Sequence, residues 1–300
     1  MRAPIGLFVY NRPWHTRQTI EALQKNDLAP ESDLFIFADG PRTTDAASAV
    51  QEVRESLKNI TGFKSVGIIE RPGNLGLAGS IIEGVTRLCN EHGRVIILED
   101  DMVTSPHFLR FMNTALDVYR KEDRVISIHG YLYPVKVRLP ETFLLRGADC
   151  WGWATWKRGW DLFEHDGKKL LDEIKARNLS DRFDYDGSYP FTRMLEDQVK
   201  EMVNSWAIRW NATAFLKDRL TLYPGRSLVY NTGIDASGTH CGSSEEFATT
   251  LSQDSIAIRP IIIEEDLHAR EAFKLYFRSL QPSLARRITR RVKEVFSKPS

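Results

Sequence analysis

The first hundred residues alternate between short apolar runs and helical patterns, and this alternation restricts the fold more than any other feature of the chain. The apolar runs lie at residues 5–10, 34–38, 65–69 and 95–98. The helical patterns between them lie at residues 16–24, 46–57 and 79–90. Strands and helices that alternate at this spacing predict βαβ units, which form a parallel sheet with helices on both faces. We therefore expect an α/β fold.

The pattern changes after residue 125. Further strands are expected at residues 125–130 and 143–147, and an apolar stripe at helical spacing predicts a helix near residues 190–204. This half has the character of an α+β continuation that packs on the first half. We divide the chain into residues 1–102, residues 103–250 of the same domain, and a helical, basic tail at residues 251–300.

The composition restricts the class of protein. The chain has 300 residues, of which 42% are hydrophobic and 27% are charged, and its net charge is +1. This balance is that of an ordinary globular protein and indicates no nucleic-acid partner. The three scattered cysteines, Cys89, Cys150 and Cys241, form neither a disulfide framework nor a zinc-finger spacing, which favours a reducing cytosol. No apolar run is long enough to span a membrane, and the N-terminal run is too short for a signal peptide.

Polar and charged residues follow each of the four predicted parallel strands. The fourth strand runs into three acids in the sequence VIILEDDM, where Glu99, Asp100 and Asp101 repel one another unless a cation is near. The other strands end in Asn11-Arg12-Pro13, Asp39-Gly40-Pro41-Arg42 and Arg71-Pro72-Gly73-Asn74. Ligands of open α/β sheets bind beyond the carboxyl ends of the strands. Cations and anions together at these ends suit a phosphorylated ligand with a metal ion.

A glycine-rich segment, GNLGLAGS at residues 73–80, follows the third predicted strand and opens a helix. Its G-x-x-G-x-x-G spacing, and its place after the third strand, argue against a dinucleotide-binding fingerprint. The chain also lacks the G-x-x-x-x-G-K-[ST] sequence of a P-loop. Two interpretations remain open for Gly76 and Gly79: a tight turn with close helix packing, or the close approach of a ligand.

Taken together, these motifs resemble those of the nucleotide-sugar glycosyltransferases of the GT-A fold. The resemblance is carried by strand–N-R-P, strand–D-G, N-x-G-x-x-x-S and strand–L-E-D-D in that order. The E-D-D sequence is similar to that of the eukaryotic N-acetylglucosaminyltransferases that start complex N-glycans. The chain as a whole resembles bacterial glycosyltransferases of surface-polysaccharide pathways. The resemblance covers residues 3–245 and includes LEDDMVTSPHF, WGWATW, the LEDQ helix, SWAIRW and NTGIDASGTHC.

The resemblance implies a GT-A (Rossmann-like), mostly parallel sheet, with residues 1–102 as the nucleotide-sugar-binding half and residues 103–250 as the acceptor-side and catalytic half. It implies that Asp101 binds Mn²⁺ or Mg²⁺, which bridges the two phosphates of the donor. It also implies that Arg12, Asp39, Asn74, Glu99 and Asp100 bind the donor. We add the strand-end residues Asn11 and Arg71 to the expected donor-binding residues. A uridine nucleotide is the usual ligand of such enzymes, so we expect a UDP-sugar as the donor.

The segment GIDASGTHC at residues 233–241 matches the loop that closes over the donor in this fold. Its only histidine, His240, has three open interpretations: it binds the diphosphate, it completes the metal shell, or it is structural.

Four tryptophans lie close together in the sequence. Trp156 and Trp160 are expected in the core. The glycine between Trp151 and Trp153 suggests a bend that exposes one of these two rings, and we expect the exposed ring to stack on a sugar in the donor or acceptor pocket.

The resemblance is to inverting enzymes, in which a carboxylate takes the proton of the acceptor hydroxyl. The candidates for this carboxylate are Asp181, Asp184, Asp186, Glu196 and Asp197. The E-D pair matches the position of the base in the related enzymes, and Asp197 corresponds better than Glu196. We therefore predict Asp197 as the catalytic base, with Glu196 as the alternative. Without the resemblance, Asp197 would be interpreted as a solvated helix acid.

We therefore predict an inverting, metal-dependent glycosyltransferase that moves a sugar to a hydroxyl of a glycan or lipid-linked acceptor. One alternative is a sugar-nucleotide nucleotidyltransferase, although NRPWHTR stands where such enzymes carry G-x-G-T-R-L. The other alternative is a scaffold that binds a sugar nucleotide without turning it over.

The C-terminal segment at residues 284–298 has the pattern of a basic amphipathic helix, with Glu294 as its only acid. Its apolar stripe suits the surface of an anionic membrane, where lipid-linked acceptors reside. The alternative is a helix that packs on the protein and turns its basic face to solvent. We expect a cytoplasmic protein, peripheral at the inner face of the cytoplasmic membrane if this segment binds lipid.

Overall fold

The computed structural model describes residues 2–235 and 245–281. Its strands are β1 (Ile5–Val9), β2 (Asp33–Ala38), β3 (Ser65–Glu70), β4 (Arg94–Glu99), β5 (Met102–Thr104), β6 (Val125–His129), β7 (Thr142–Arg146), β8 (Trp153–Trp156), β9 (Leu220–Pro224) and β10 (Val229–Asn231). Its helices are α1 (Pro13–Gln24), α2 (Ala47–Leu57), α3 (Gly76–His92), α4 (Phe108–Val118), α5 (Lys157–Trp160), α6 (Gly167–Ala176), α7 (Ser180–Phe183), α8 (Phe191–Val199), α9 (Trp206–Leu216) and α10 (Leu267–Leu280). Short 3₁₀ turns occupy Ala29–Glu31, Thr232–Asp235 and Glu245–Phe247.

Eight of these strands form one sheet in the order β3-β2-β1-β4-β8-β6-β9-β7, and β5 pairs with β10 in a small second sheet. β1 pairs in parallel with β2 on one side and with β4 on the other, so that Ile5 lies opposite both Leu34 and Ile96. β3 adds in parallel beside β2. The predicted α/β fold, a mostly parallel sheet flanked by helices, is confirmed.

Successive residues of the central strands face opposite sides of the sheet, and each side has its own apolar core. Leu7 packs in the core that α1, α2 and α4 cover, whereas Phe8 packs in the core that α3, α5 and α9 cover. The Phe8 ring stacks on Phe37 with 4.8 Å between the centroids. α3 approaches these rings at Gly84, where an added Cβ would lie 2.6 Å from the Phe8 ring. The central strands β1 and β4 are thus buried on both faces, as their apolar sequences predict, whereas the edge strand β3 is partly exposed.

The second half of the chain extends the same sheet. The strands expected at residues 125–130 and 143–147 are present as β6 and β7. β8 is not among the predicted strands, and it lies antiparallel between β4 and β6. All four of its residues are buried, so it lacks the alternation of polar and apolar residues that identifies a half-exposed strand. Because β8 and its neighbours follow β4 in the sheet, the three acids lie near the middle of the sheet.

The helix predicted near residues 190–204 is present as α8 but ends earlier than predicted, and a separate helix, α9, follows it. α8 ends at Val199, and Glu201 adopts a left-handed φ of 58° that a continuing helix does not allow. Ser205 then caps α9, because its hydroxyl accepts a hydrogen bond from the Ile208 amide at 3.3 Å. The apolar stripe interpreted as one helix therefore spans a break, and Ser205 is the signal that marks it.

Within the described ranges, none of the helices combines the length and the apolar character that a membrane crossing needs. α10 packs its aromatic side chains Phe273 and Phe277 against residues of β7 and β9. The basic segment at residues 284–298 lies outside the described residues, and so do His240 and most of the predicted loop at residues 233–241.

Candidate functional site

The carboxyl ends of β1 and β4 lie side by side at the point where the strand order reverses. The chain moves outward from β1 through β2 to β3 with α1 and α2 on one face, and it returns to β4 through α3 on the other face. Open α/β sheets bind their ligands at such a switch point. Asn11 and Arg12 follow β1 there, and Asp100 and Asp101 follow β4.

The Arg12 guanidinium joins the two aspartates. Its Nη2 donates to Asp101 Oδ2 at 2.8 Å and also to Asp100 Oδ1, and its Nε donates to Asp100 Oδ2 at 3.3 Å. The three side chains are largely buried, with Arg12 20% exposed. Burial opposes the charge of Arg12, but the two carboxylates outweigh burial and raise its pKa above its ordinary value. Arg12 is therefore a permanent cation at the end of β1.

Two buried atoms of this cluster, Asp101 Oδ1 and Arg12 Nη1, have no hydrogen-bond partner among residues 2–235 and 245–281. One atom is an acceptor and the other is a donor. Leaving such a group unsatisfied costs about 1–3 kcal/mol, so a buried pair of them requires an explanation. A ligand that brings both a cation and an anionic oxygen would satisfy both atoms.

Three acids share one arginine in this cluster. Burial raises the pKa of Glu99 to about 8, and the charges of Asp101 and Asp100 add to the effect. Burial likewise raises the pKa of Asp100 to about 6, although the charge of Arg12 opposes the shift. The raised pKa values of Glu99 and Asp100 mean that the cluster holds more acid groups than Arg12 alone can keep ionised. A bound cation would remove the deficit of positive charge.

Hydrogen bonds from two sides hold the acids in place. The Thr19 hydroxyl on α1 donates to the Asp100 carbonyl at 2.7 Å, and the Thr232 amide donates to the Asp101 carbonyl at 2.8 Å. Thr232 is positioned by the antiparallel pairing of β10 with β5, the strand that follows the acids. The next residue, Gly233, lies against the acid itself, since an added Cβ would be 2.2 Å from Asp101 Oδ2. Only glycine fits this position without displacing the carboxylate.

Asp39 and Asn74, two of the predicted donor-binding residues, join the loops that follow β2 and β3. The Asp39 carboxylate accepts hydrogen bonds from the amides of Gly40, Leu75 and Gly76 at 3.0–3.1 Å. The Asn74 side chain donates to the Gly40 carbonyl at 2.8 Å and accepts from the Gly76 amide at 3.1 Å. These contacts engage both oxygens of Asp39, which is buried. Its burial is explained by the shape of the loop and needs no direct contact with a nucleotide.

Arg71, the other predicted donor-binding arginine, bonds to two residues of α3. Its guanidinium donates to the Ser80 hydroxyl and to the Glu83 carboxylate, and it lies over the Phe37 ring at 5.5 Å. Glu83 balances its charge, and Arg71 is buried. Of the two arginines predicted to bind the donor, Arg12 is therefore the one that the structure brings to the acids.

Trp153, predicted together with Trp151 as a sugar-stacking residue, is fully buried. Its ring packs on Trp160, Trp206 and Trp210 with centroids 5.4–5.8 Å apart. Because other rings surround it, Trp153 presents no free face to a sugar, and we correct the prediction for this residue.

Trp151 is partly exposed, and its ring meets the edge of Tyr131 at 4.7 Å between centroids. The predicted bend is present, since Gly152 has a left-handed φ of 64°. Trp156 and Trp160 are buried, as expected of core residues. Trp151 is thus the ring of this set that remains available to a ligand.

Asp197 and Glu196, the predicted catalytic acids, lie on α8 and pair with neighbouring cations. Asp197 accepts from Arg193 Nε at 2.9 Å, one helical turn earlier, and Glu196 accepts from Lys175 Nζ at 2.7 Å on α6. The bond from Lys175 lowers the pKa of Glu196. α8 packs on α6 and α9 around an apolar cluster of its own. The hydrogen bonds described for these acids do not reach the strand ends, and the catalytic role of Asp197 stays a prediction.

The predicted Mn²⁺ or Mg²⁺ fits these residues in one way only. In the part of the chain that the structure describes, no group of three or more histidine, cysteine and carboxylate side chains is arranged to hold a metal ion. Mg²⁺, however, is often held by one or two carboxylates together with the phosphates of its substrate and water. Asp101 Oδ1 is a buried hard oxygen suited to this role. The site fits a metal ion that binds together with a diphosphate.

Sequence reasoning misses the residues that support the acids. Thr19 lies within a helix and carries no local signal, because its role depends on the approach of α1 to β4. Thr232 and Gly233 do carry a signal, since the motif NTGIDASGTHC contains them and a glycine follows a short polar turn. That motif predicts a loop near the donor, and the structure brings its first residues against Asp101.

No protein-family model and no curated protein match the chain. Solved structures similar to it include TarS residues 1–349 from S. aureus, at 11% identity and a TM-score of 0.43, with 78% of this chain and 62% of that chain covered. Mannose-1-phosphate geranyltransferase from Thermus thermophilus is 12% identical with a TM-score of 0.36, covering 75% of this chain and 74% of that one. UDP-glucose pyrophosphorylase complexed with UDP-glucose is 10% identical with a TM-score of 0.35, covering 74% and 90%. The chain spans less than two thirds of TarS 1–349, and none of these similarities assigns it to a family or an activity.

Proposed function

We propose that the chain is an inverting, metal-dependent glycosyltransferase that moves a sugar from a UDP-sugar to a hydroxyl of a glycan or lipid-linked acceptor. The observation that carries the proposal is the pair of unpartnered buried atoms, Asp101 Oδ1 and Arg12 Nη1, at the switch point between β1 and β4. A nucleotide diphosphate that binds with a divalent cation complements both atoms, because the cation takes the carboxylate oxygen and a phosphate oxygen takes the guanidinium N–H.

Arg12 has two tasks in this proposal. It holds Asp100 and Asp101 in place through the hydrogen bonds of its Nη2 and Nε. Its Nη1 would donate to a phosphate oxygen of the donor. Since Arg12 is a permanent cation, it would also stabilise the negative charge that develops on the diphosphate as the bond to the sugar breaks.

The acids divide the remaining tasks. Asp101 would ligate Mn²⁺ or Mg²⁺ through Oδ1, and the bound ion supplies Lewis-acid stabilisation of the diphosphate. Glu99 and Asp100 would accept hydrogen bonds from ribose or sugar hydroxyls, which carboxylates do well. Asp39 and Asn74 would act on the donor indirectly, by fixing the loop that rims the site.

The proposal is tested by incubating the protein with UDP-glucose, UDP-galactose and UDP-N-acetylglucosamine, each with Mn²⁺ and with EDTA. We expect one donor to raise the melting temperature in Mn²⁺ only, because a ligand that binds the folded state stabilises it. The same donor should release UDP slowly when water is the acceptor. The proposal would be contradicted if none of the three donors, and not free UDP either, raised the melting temperature, and if no donor released UDP.

Two other outcomes separate the alternative functions. Release of pyrophosphate from UTP and a sugar 1-phosphate, without release of UDP from any UDP-sugar, would identify a nucleotidyltransferase. Binding of a UDP-sugar with Mn²⁺, without turnover in the presence of either water or sugar acceptors, would identify a scaffold.

A further inference from the structure

A second carboxylate, Asp149, lies among tyrosines in the segment between β7 and β8, and the proposed donor site does not use it. Its Oδ2 accepts a hydrogen bond from the Tyr223 hydroxyl at 2.9 Å, and the Tyr133 hydroxyl lies close enough to lower its pKa. Asp149 remains partly exposed. It is therefore an oriented carboxylate on a residue that is partly exposed.

The segment that carries Asp149 borders the carboxyl end of β4. Gly152, three residues further on, packs so closely that an added Cβ would lie 2.6 Å from the Val229 side chain and 3.4 Å from the Leu98 side chain. Leu98 directly precedes Glu99, and Val229 belongs to β10, which leads to Gly233. The segment thus contacts both chain elements that hold the acids.

Aromatic rings beside Asp149 provide the other half of a sugar-binding surface. Trp151 is partly exposed, and its ring lies against Tyr131 and against Phe247, at 5.9 Å between centroids in the latter case. The Tyr131 hydroxyl donates to the Phe247 carbonyl at 2.7 Å, which fixes these rings relative to one another. Aromatic faces bind the apolar side of a sugar ring, while a carboxylate binds its hydroxyls.

Asp149 differs from the predicted bases in its surroundings. Asp197 and Glu196 are each paired with a nearby cation, whereas the titratable groups that act on Asp149, among the residues the structure describes, are phenols. These phenols are Tyr223 from β9, Tyr133 and Tyr131 from the segment after β6, and Tyr185 from the segment after α7. Beyond Tyr185, the charge of Arg270 on α10 is met by Asp186. Burial raises the pKa of Asp149 to about 6, although the hydroxyls of Tyr223 and Tyr133 act to lower it. This pKa is close to the pH range in which a general base works.

We propose that Asp149 and Trp151 form the acceptor subsite, in which Trp151 stacks on the acceptor sugar and Asp149 takes the proton of the attacking hydroxyl. This inference rests on the proposed function. The acceptor O–H bond breaks and its proton moves to the Asp149 carboxylate, while the acceptor oxygen forms a bond to the anomeric carbon of the donor sugar. The bond from that carbon to the diphosphate breaks, and the diphosphate leaves with the electron pair.

The test compares Asp149→Asn with Asp117→Asn, using the UDP-sugar that stabilises the wild-type protein and water as the acceptor. We expect Asp149→Asn to bind UDP and Mn²⁺ with wild-type affinity in calorimetry and to release UDP at least 100-fold more slowly. Asp117→Asn, at an exposed acid paired with Arg94, should turn over at close to the wild-type rate. Tyr223→Phe removes a donor to the ionised carboxylate, so the acid limb of its kcat/KM profile should move to higher pH.

The outcomes separate the inference from the proposed function. If the wild-type protein binds no sugar nucleotide in Mn²⁺, the proposed function fails and the inference fails with it. If the wild-type protein turns over but Asp149→Asn retains its rate, or Asp117→Asn loses its rate to the same extent, only the inference is overturned. Should Asp149→Asn fail to fold, an unmoved acid limb in Tyr223→Phe overturns the inference in its place.

Discussion

The backbone of Gly233 lies so close to the carboxylate of Asp101 that an added Cβ would be 2.2 Å from Oδ2 and 3.1 Å from Nη1 of Arg12. A methyl group at this position must displace the acid, the arginine or the turn that follows β10. Gly233→Ala is therefore expected to weaken the binding of UDP in Mn²⁺ at least tenfold, about 1.4 kcal/mol. The measurement is calorimetric titration. Gly73→Ala is the matched control, because its added Cβ would meet nothing within 4 Å. Equal affinities in the two variants would contradict the expectation.

Arg12→Gln is expected to destabilise the fold as well as the site. The substitution leaves Asp100 and Asp101 buried without their cation, and breaking a buried ion pair in this way costs about 3–5 kcal/mol. Urea denaturation measures the loss. Arg2→Gln removes an exposed pair with Glu31 and should change the free energy of unfolding by less than about 1 kcal/mol. Similar losses of unfolding free energy in both variants would mean that the buried ion pairs of Arg12 stabilise the fold no more than an exposed pair does.

Asp39→Asn should loosen the start of α3. The amide that replaces the carboxylate supplies one acceptor oxygen in place of two, while the Leu75 and Gly76 amides both depend on Asp39. We expect faster hydrogen exchange at these two amides, and a free energy of unfolding lowered by about 1–3 kcal/mol. If exchange at residues 75 and 76 is unchanged and only nucleotide binding is lost, Asp39 contacts the nucleotide directly.

His129 should make the fold sensitive to acid. It is 1% exposed at the end of β6, and burial lowers its pKa from 6.5 to about 3. The unfolded chain takes up this proton at a higher pH than the folded chain, so the stability that neutral His129 contributes is present above pH 6.5 and is lost as the pH falls towards 3. His129→Phe should show a shallower decline of the free energy of unfolding over this interval. His268→Gln on the exposed surface is the control, and parallel profiles of the wild type and His129→Phe would contradict the assignment.

The first half of the fold follows from the sequence because its signals are local. The apolar runs mark the parallel strands, and Gly93 stops α3 in a left-handed conformation with a φ of 76°, where its amide donates to the Cys89 carbonyl. β8 has no such signal, because all of its residues are buried and it fits between strands that are distant in the sequence. The break between α8 and α9 depends on a single capping serine, Ser205, which an apolar stripe conceals.

The site is predictable to the level of strand ends and no further. Sequence order brings Arg12, Asp39, Arg71 and Asp101 to the carboxyl ends of parallel strands, but it does not say where each side chain turns. Arg71 turns to α3, and Asp39 turns to the neighbouring loop, because α3 and its loop offer each of them a nearby partner of suitable charge or polarity. Arg12 turns to the acids across the β1–β4 pair. Such choices depend on distances between loops, which periodicity does not contain.

In the proposed function, Asp101 and Arg12 bind a diphosphate together with a divalent cation. The most direct measurement is calorimetric titration of UDP into the wild-type protein and Asp101→Asn, each in Mn²⁺ and in EDTA, with Asp117→Asn as the control. Asp117 is an exposed acid paired with Arg94 at the amino end of β4, whereas the proposed site lies at the carboxyl end. We predict that the wild type and Asp117→Asn bind UDP in Mn²⁺ and lose that binding in EDTA, while Asp101→Asn stays folded and binds UDP in neither. Wild-type affinity of Asp101→Asn for UDP in Mn²⁺ would contradict the proposed binding of a metal ion and a diphosphate at Asp101.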